Sequence, residues 1–340
     1  MVRIVIIGMI CLLVSSGAVS ADDKFEHPKI EKKTQEAVDK ALEWLAKRQN
    51  SDGSWSEPSY PNNTAITGYA LMAFMSQGHV PNKGKYGPEV SKGIRFLVAS
   101  SRDGDGYLVG ARGGNMYCHG MATLALSQAW GMSGSNKGGD EDLKKVLKKA
   151  VDLIVRSQSS NGGWRYSPSP SGADISVTIM QVMALRGAKD SGLHVPDKTL
   201  DKALEYIDSC YDSRSGGYLY MPQSGSAGFA RTAAGICVLK LCGQYEKNIG
   251  KSVTYLKQNM KDPREHFWYG HYYACHAMHQ VGGKDWQDYY ATITDKFLKM
   301  QQSDGHWSKS EPHSAGTVYQ TAIAVIALSV PAEYLPIFQR

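Results

Sequence analysis

The sequence predicts an all-α chain, a closed α/α toroid of about six helix pairs, and three observations predict it. A short break recurs: QNSDGSW ends at Trp55, DGDGY at Tyr107, NGGW at Trp164, SGGY at Tyr218 and QSDGHW at Trp307, with REHFW at Trp268 as a degenerate member. Spacings of roughly 40 to 57 residues between them fit a helical repeat array. Before the breaks lie amphipathic, charge-rich segments, and after them lie segments apolar on nearly every side. A helix of the second kind is buried, so the charged set forms an outer layer and the apolar set an inner one. Neither end carries a polar capping repeat, which favours a ring over an open solenoid.

The elements follow in order. MVRIVIIGMICLLVSSGAVSADD has a charged start at Arg3, an apolar stretch and a small-residue cleavage site, Ala18-Val19-Ser20. It reads as a signal peptide over residues 1–20. Residues 21–34 are expected to be a linker, 35–330 a single toroid domain and 331–340 a C-terminal tail. QEAVDKALEWLAKRQ is the first outer helix and TAITGYALMAFMSQ the first inner one. MYCHGMATLALSQAW is the second inner helix, DLKKVLKKAVDLIVRSQ and DISVTIMQVMAL the third pair, and TLDKALEYIDSCY and RTAAGICVLKLC the fourth. YGHYYACHAMHQV and TVYQTAIAVIAL are the last two inner helices. Glycine ends each outer helix because it takes the left-handed backbone without a steric penalty, and the aromatic after it folds back to seal the junction.

Composition narrows the function classes. The 340 residues carry a formal net charge of +6, and the basic residues alternate with acids on helices. That is a solvated helix face and not a nucleic-acid groove. No apolar run after the signal is long enough to span a bilayer, so the mature chain is expected to be secreted or periplasmic. Cys118, Cys210, Cys237, Cys242 and Cys275 sit mostly in apolar helical patterns. They read as small buried residues, not a disulfide framework.

QNSDGSW, QSSNGGW and QQSDGHW resemble the QW motifs, Q-x-x-x-G-x-W, of squalene and oxidosqualene cyclases. The helix pairing is similar to the wider terpenoid cyclase and protein prenyltransferase superfamily. The phrases NMYCHGMATLALSQAWG, GGWRYSPSPSGADISVTIMQVMALRGA and YYACHAMHQVGG resemble bacterial prenyltransferase/squalene oxidase repeat proteins. The resemblance implies an α/α toroid over nearly the whole mature chain. It carries the chemistry over only in part. Squalene-hopene cyclases protonate an alkene with the middle Asp of D-x-D-D-T. The matching stretch here is Asp174-Ile175-Ser176-Val177-Thr178, with Ser176 at the acid's position. A hydroxyl is a far weaker acid than a carboxylic acid, so ordinary class II chemistry is not expected. No Asp-x-Cys that matches the zinc pair of protein prenyltransferases is found either.

In a closed toroid the N-terminal ends of the inner helices gather at one mouth, with their partial positive charges. His119, Asp174, Ser176, Arg231, Tyr269, His271 and Tyr319 lie at these ends and are the candidate ligand-binding residues. Asp174 can also cap its helix. His119, Asp174, Arg231 and His271 are expected to face one shared cavity. His271, Cys275 and His279 recur at four-residue steps, but the stripe turns too far for one ion to touch all three, so no metal and no cofactor is expected. The expected function is to hold a small apolar molecule (an isoprenoid among the options), a peptide or a glycan in the central cavity. The alternatives are an isoprenoid-modifying enzyme, or a polysaccharide lyase or hydrolase on the same toroid.

Overall fold

A computed structural model describes residues 28–339 apart from 103, 111–112, 134–140, 245–247, 262, 264–265 and 312–313; the expected signal peptide and the first half of the expected linker lie outside the described residues. The described residues form twelve α-helices and one two-stranded ladder, Ser101–Arg102 against Tyr107–Leu108. The outer helices are α1 (Lys32–Ala46), α3 (Gly87–Ala99), α5 (Glu141–Arg156), α7 (Asp197–Ser209), α9 (Ile249–Asn259) and α11 (Gly283–Met300). The inner helices are α2 (Thr64–Met75), α4 (Met116–Met132), α6 (Ile175–Asp190), α8 (Phe229–Leu241), α10 (Phe267–Val281) and α12 (Thr317–Ser329). Each inner helix packs on the next, and α12 packs on α2, so the ring is closed. None of the helices is long and apolar enough to cross a membrane.

The Q-x-x-x-G-x-W pattern works as a clasp between neighbouring repeats. Gln158 Nε2 donates to the Gly162 carbonyl (2.7 Å) and to the Thr199 carbonyl on α7 (2.8 Å). Gln49 does the same for Gly53 and Glu89 on α3, and Gln301 for Gly305 and Ala37 on α1. The indole N–H of Trp55, Trp164 and Trp307 donates 2.8 Å to a carbonyl near the end of its own outer helix, Leu45, Ile154 and Phe297 respectively. The glycine is fixed by space as well as by backbone: Gly162 has φ +93°, and a Cβ there would overlap the Lys202 carbonyl. Gly53, Gly106, Gly216 and Gly305 press in the same way on Lys92, Lys149, Lys251 and Lys40 of the following outer helix.

The fifth junction departs from the expected break. Trp268 is the second residue of α10 and not a loop residue. It is fully buried against Phe267 and Phe297, and its indole N–H has no partner among the described residues. REHFW contains no glycine, so nothing there can make the close approach that the clasp needs. An ion pair between Lys257 and Asp285 (2.6 Å), both partly exposed, joins α9 to α11 instead.

The last described residues return to the ring. Ile337 N–H donates to Gln128 Oε1 (3.0 Å), Gln280 Nε2 donates to the Phe338 carbonyl (3.1 Å), and the Phe338 ring stacks on His276 at 3.3 Å. They seal the end of the ring opposite the inner-helix N-termini.

Candidate functional site

The N-terminal end of each inner helix is built to one register. Trp55, Trp164, Tyr218 and Trp307 donate their backbone N–H to Thr67, Thr178, Thr232 and Thr321, each at 3.0 Å. These threonines are the fourth or fifth residues of their helices. In α4 the same place belongs to His119, whose Nδ1 accepts from Leu108 N–H (3.1 Å) while Nε2 donates to the Ala150 carbonyl (3.2 Å). In α10 it belongs to His271, which shares a 2.7 Å hydrogen bond with the Tyr289 hydroxyl and packs on Phe229 and Phe267. Burial pushes His119 down to about 4 and His271 down to about 3. Both are therefore neutral struts between the layers.

Two residues earlier on each helix the chain points the other way, because two steps turn an α-helix by about 200°. Those positions are Ala65, Tyr117, Ser176, Ala230, Tyr269 and Tyr319. The last five line one cleft of about 780 Å³. The cleft spreads from the ring axis across the start of α8 to the end of α9, where Gln258, Asn259, Lys261 and His266 line it. It opens at the junction without a clasp. Tyr166 and Tyr220, two residues beyond Trp164 and Tyr218, form its far wall, their hydroxyls 3.3 Å apart. Their backbones are pinned: the Tyr166 carbonyl accepts from Met116 N–H (2.9 Å) and the Tyr220 carbonyl from Ile175 N–H (3.0 Å).

The expected four-residue cavity is thus corrected. Of His119, Asp174, Arg231 and His271, only Arg231 lines the cleft. Ser176, Tyr269 and Tyr319 line it as well. Asp174 is fully buried; its Oδ1 accepts from Val177 N–H (2.9 Å) and caps α6, and its Oδ2 has no hydrogen-bond partner. Burial raises its carboxyl above the usual carboxylate range, with the Val177 N–H and the Tyr220 hydroxyl acting the other way. Tyr166, Tyr220 and the α9 residues were absent from the sequence-based set. The signal that locates the α9 side is the missing glycine at the fifth break.

Arg231 projects over Gly228. Its Nη2 donates to the Ser226 carbonyl (2.9 Å) and its Nε to the Tyr218 carbonyl (3.4 Å). Neither Arg231 nor Lys261 forms an ion pair among the described residues. Above the ring axis the hollow is filled, not open. Tyr69 donates or accepts a 2.8 Å hydrogen bond with Tyr117, and its ring meets Tyr272 and Tyr319 edge-on. Tyr273 sits edge-on to both Tyr269 and Tyr272. Burial pushes the Tyr269 hydroxyl up to about 12. Among the described residues no cluster of His, Cys, Asp and Glu could hold a metal ion: His271 is tied to Tyr289, and His279 to Glu333. The five described cysteines are free thiols.

Comparison with known proteins agrees with this architecture. A match of 33% identity over 78 residues joins the chain to a squalene–hopene cyclase of Bradyrhizobium diazoefficiens; it spans 19% of this chain and only 11% of that enzyme. Among solved structures, the type II terpene cyclase MstE from Scytonema superposes with a TM-score of 0.62 at 13% identity, over 91% of this chain and 100% of that one. An inactive variant of the alpha-1,6-mannanase GH76A of Salegentibacter sp. HEL1_6, in complex with alpha-1,6-mannotriose, superposes at 0.67 with 9% identity, over 90% of this chain and 100% of that one. At such identities these structures share the fold alone. The model of the prenyltransferase alpha-alpha toroid domain matches residues 115–262 and 253–340, so the chain belongs to that family.

Proposed function

We propose that this chain is a secreted, single-domain binding toroid that holds a ligand in the cleft between the ring axis and α9, without class II cyclase activity. The observation that carries this reading is Ser176. It lies in the cleft at the position where the cyclase motif puts its acid, and none of the described lining residues carries a carboxyl group. A serine hydroxyl cannot protonate an alkene, and glycoside hydrolysis by the usual route needs two carboxyl groups across the scissile bond. What remains is a concave surface of tyrosines, amides and two cations, a composition suited to recognition. Two toroid neighbours support ligand binding by a fold of this kind: one was solved with alpha-1,6-mannotriose and another with geranylgeranyl dihydroxybenzoate.

The test has two arms. Purified mature protein incubated with squalene should give no cyclised product above a heat-killed control. Mass spectrometry of denatured protein should detect a small molecule that co-purifies with the wild type and is depleted in Tyr220→Ala. A cyclised product overturns the reading, as does a protein that carries nothing in either form. N-terminal sequencing of exported protein, with a start near Ala21, tests secretion.

A further inference from the structure

The cleft has a charge and a surface that together define a ligand class. Arg231 is half-buried, aimed over the start of α8, and two of its N–H groups are held by the Tyr218 and Ser226 carbonyls. That leaves the rest of a planar, permanently charged donor set facing the cleft with no acid beside it among the described residues. Lys261 adds a second cation at the α9 edge, with no ion-pair partner among the described residues. The start of α8 itself differs from α2, α4 and α6: Asn63, Asn115 and Asp174 cap those helices, whereas Gly228 gives α8 no side-chain cap. A helix start of this kind favours an anion but does not specify one. The Tyr269 hydroxyl, hidden from solvent at the inner edge of the cleft, also lacks a hydrogen-bond partner among the described residues.

The walls select among anions. Tyr117, Tyr166, Tyr220, Tyr255, Tyr269 and Tyr319 supply rigid, amphipathic rings that stack on ring faces and bond hydroxyls at small entropic cost. Gln258 and Asn259 add paired donor and acceptor groups. A lipid tail would meet packed rings at the axis, where Tyr69, Tyr272 and Tyr273 are buried. A peptide would need a strand edge or apolar pockets, and the lining is helix ends with few apolar side chains.

Resting on the binding reading above, we propose that the cleft recognises a carboxylate-bearing oligosaccharide, a uronic-acid glycan, whose carboxylate is held by Arg231 with Lys261 and whose sugar rings lie on Tyr166 and Tyr220. Calorimetric titration of the mature protein with a panel of short uronate oligomers (galacturonate, glucuronate, mannuronate, guluronate) and their methyl esters tests it. The esters keep the rings and remove the charge. At least one acid form should bind. Arg231→Gln should weaken it about 10- to 100-fold, the range for a hydrogen bond to a charged group, and leave the ester unchanged. Lys261→Gln, at an exposed residue that cannot disturb folding, should weaken the acid form less and flatten its salt dependence. Tyr220→Ala should weaken acid and ester alike. Equal binding of acid and ester, or an unchanged affinity in both cation variants, overturns the carboxylate assignment. Tighter binding of a tetraglutamate peptide than of any uronate overturns the saccharide assignment. If no oligomer binds while a co-purified molecule still depends on Tyr220, the glycan class is wrong and the binding reading stands. If neither is seen, both fall.

Discussion

The junction between α5 and α7 and the junction between α9 and α11 perform the same task with different parts. At the first, Gln158 spans two carbonyls, Gly162 touches the neighbouring backbone, and Trp164 plugs the gap with its N–H bonded. At the second there is no glycine clasp and no loop tryptophan; an exposed ion pair spans the outer layer, and Trp268 has moved into the inner helix. The closed junction is filled by the buried Trp164 ring. The open one borders the cleft. A repeat protein of this kind holds its shape through the units that agree and makes space through the unit that does not.

The contrast can be broken by mutation. The largest effect is expected for Trp164→Ala, which removes a fully buried indole and leaves the Ile154 carbonyl with only the Ser157 hydroxyl as a side-chain donor; chemical denaturation should show a loss of about 3–5 kcal/mol. Tyr255→Ala, on the half-buried wall of the open junction, should cost about 1 kcal/mol or less while impairing ligand binding. Equal costs at the two sites would erase the distinction.

A second contrast separates repeats that use threonine at the helix start from the two that use histidine. His119 and His271 are held far below the ordinary value of 6.5 by burial, so only the unfolded chain binds their protons near neutrality. Their contribution is fully present above pH 6.5 and is lost as pH falls toward 4 and 3 respectively, by about 1.4 kcal/mol per pH unit for each histidine. His119→Thr, which restores the acceptor for Leu108 N–H, should shallow the acid limb of a stability–pH curve by one such increment. An unchanged slope would mean the imidazole is not buried neutral.

Gln301→Ala removes the clasp at the junction that closes the ring and leaves the Ala37 and Gly305 carbonyls without that donor; a loss of about 1–3 kcal/mol in thermal or chemical melts is expected. The smallest effect sharpens the contrast from the other side. Gly250 sits in α9 of the open repeat, and a Cβ there meets nothing within 4 Å. Gly250→Ala should therefore be neutral or stabilising by up to about 1 kcal/mol, whereas Gly162→Ala should be clearly destabilising. A loss at Gly250 would show that α9 is packed more tightly than its surroundings indicate.

Much of this architecture was legible from the sequence. All-round apolar segments such as TAITGYALMAFM can only be inner helices, and the glycine–aromatic breaks mark five of the six junctions. The sixth was misread because a terminal Trp was given more weight than the missing glycine. Trp268 continues a helical pattern, and without a residue able to approach the next backbone no clasp can form. The site was legible in place but not in register. Residues at the helix starts do converge on one mouth, yet His119 and His271 were set beside Arg231 because all begin helices. Tyr117 and Tyr269, two residues earlier, face the axis, and that two-residue shift is the difference between a strut and a wall. Tyr166 and Tyr220 lie in loops, where no periodicity gives a direction.

The bond from Gln301 to Ala37 joins residues 264 positions apart. In an open array a terminal unit can fray while the rest stays folded, since it has one neighbour. In a closed one every unit has two, and losing any pair exposes two faces at once. Heat or denaturant should therefore take the ring apart in a single concerted transition and not by unzipping from an end. One junction can do without the glycine clasp because the other five keep the circle shut.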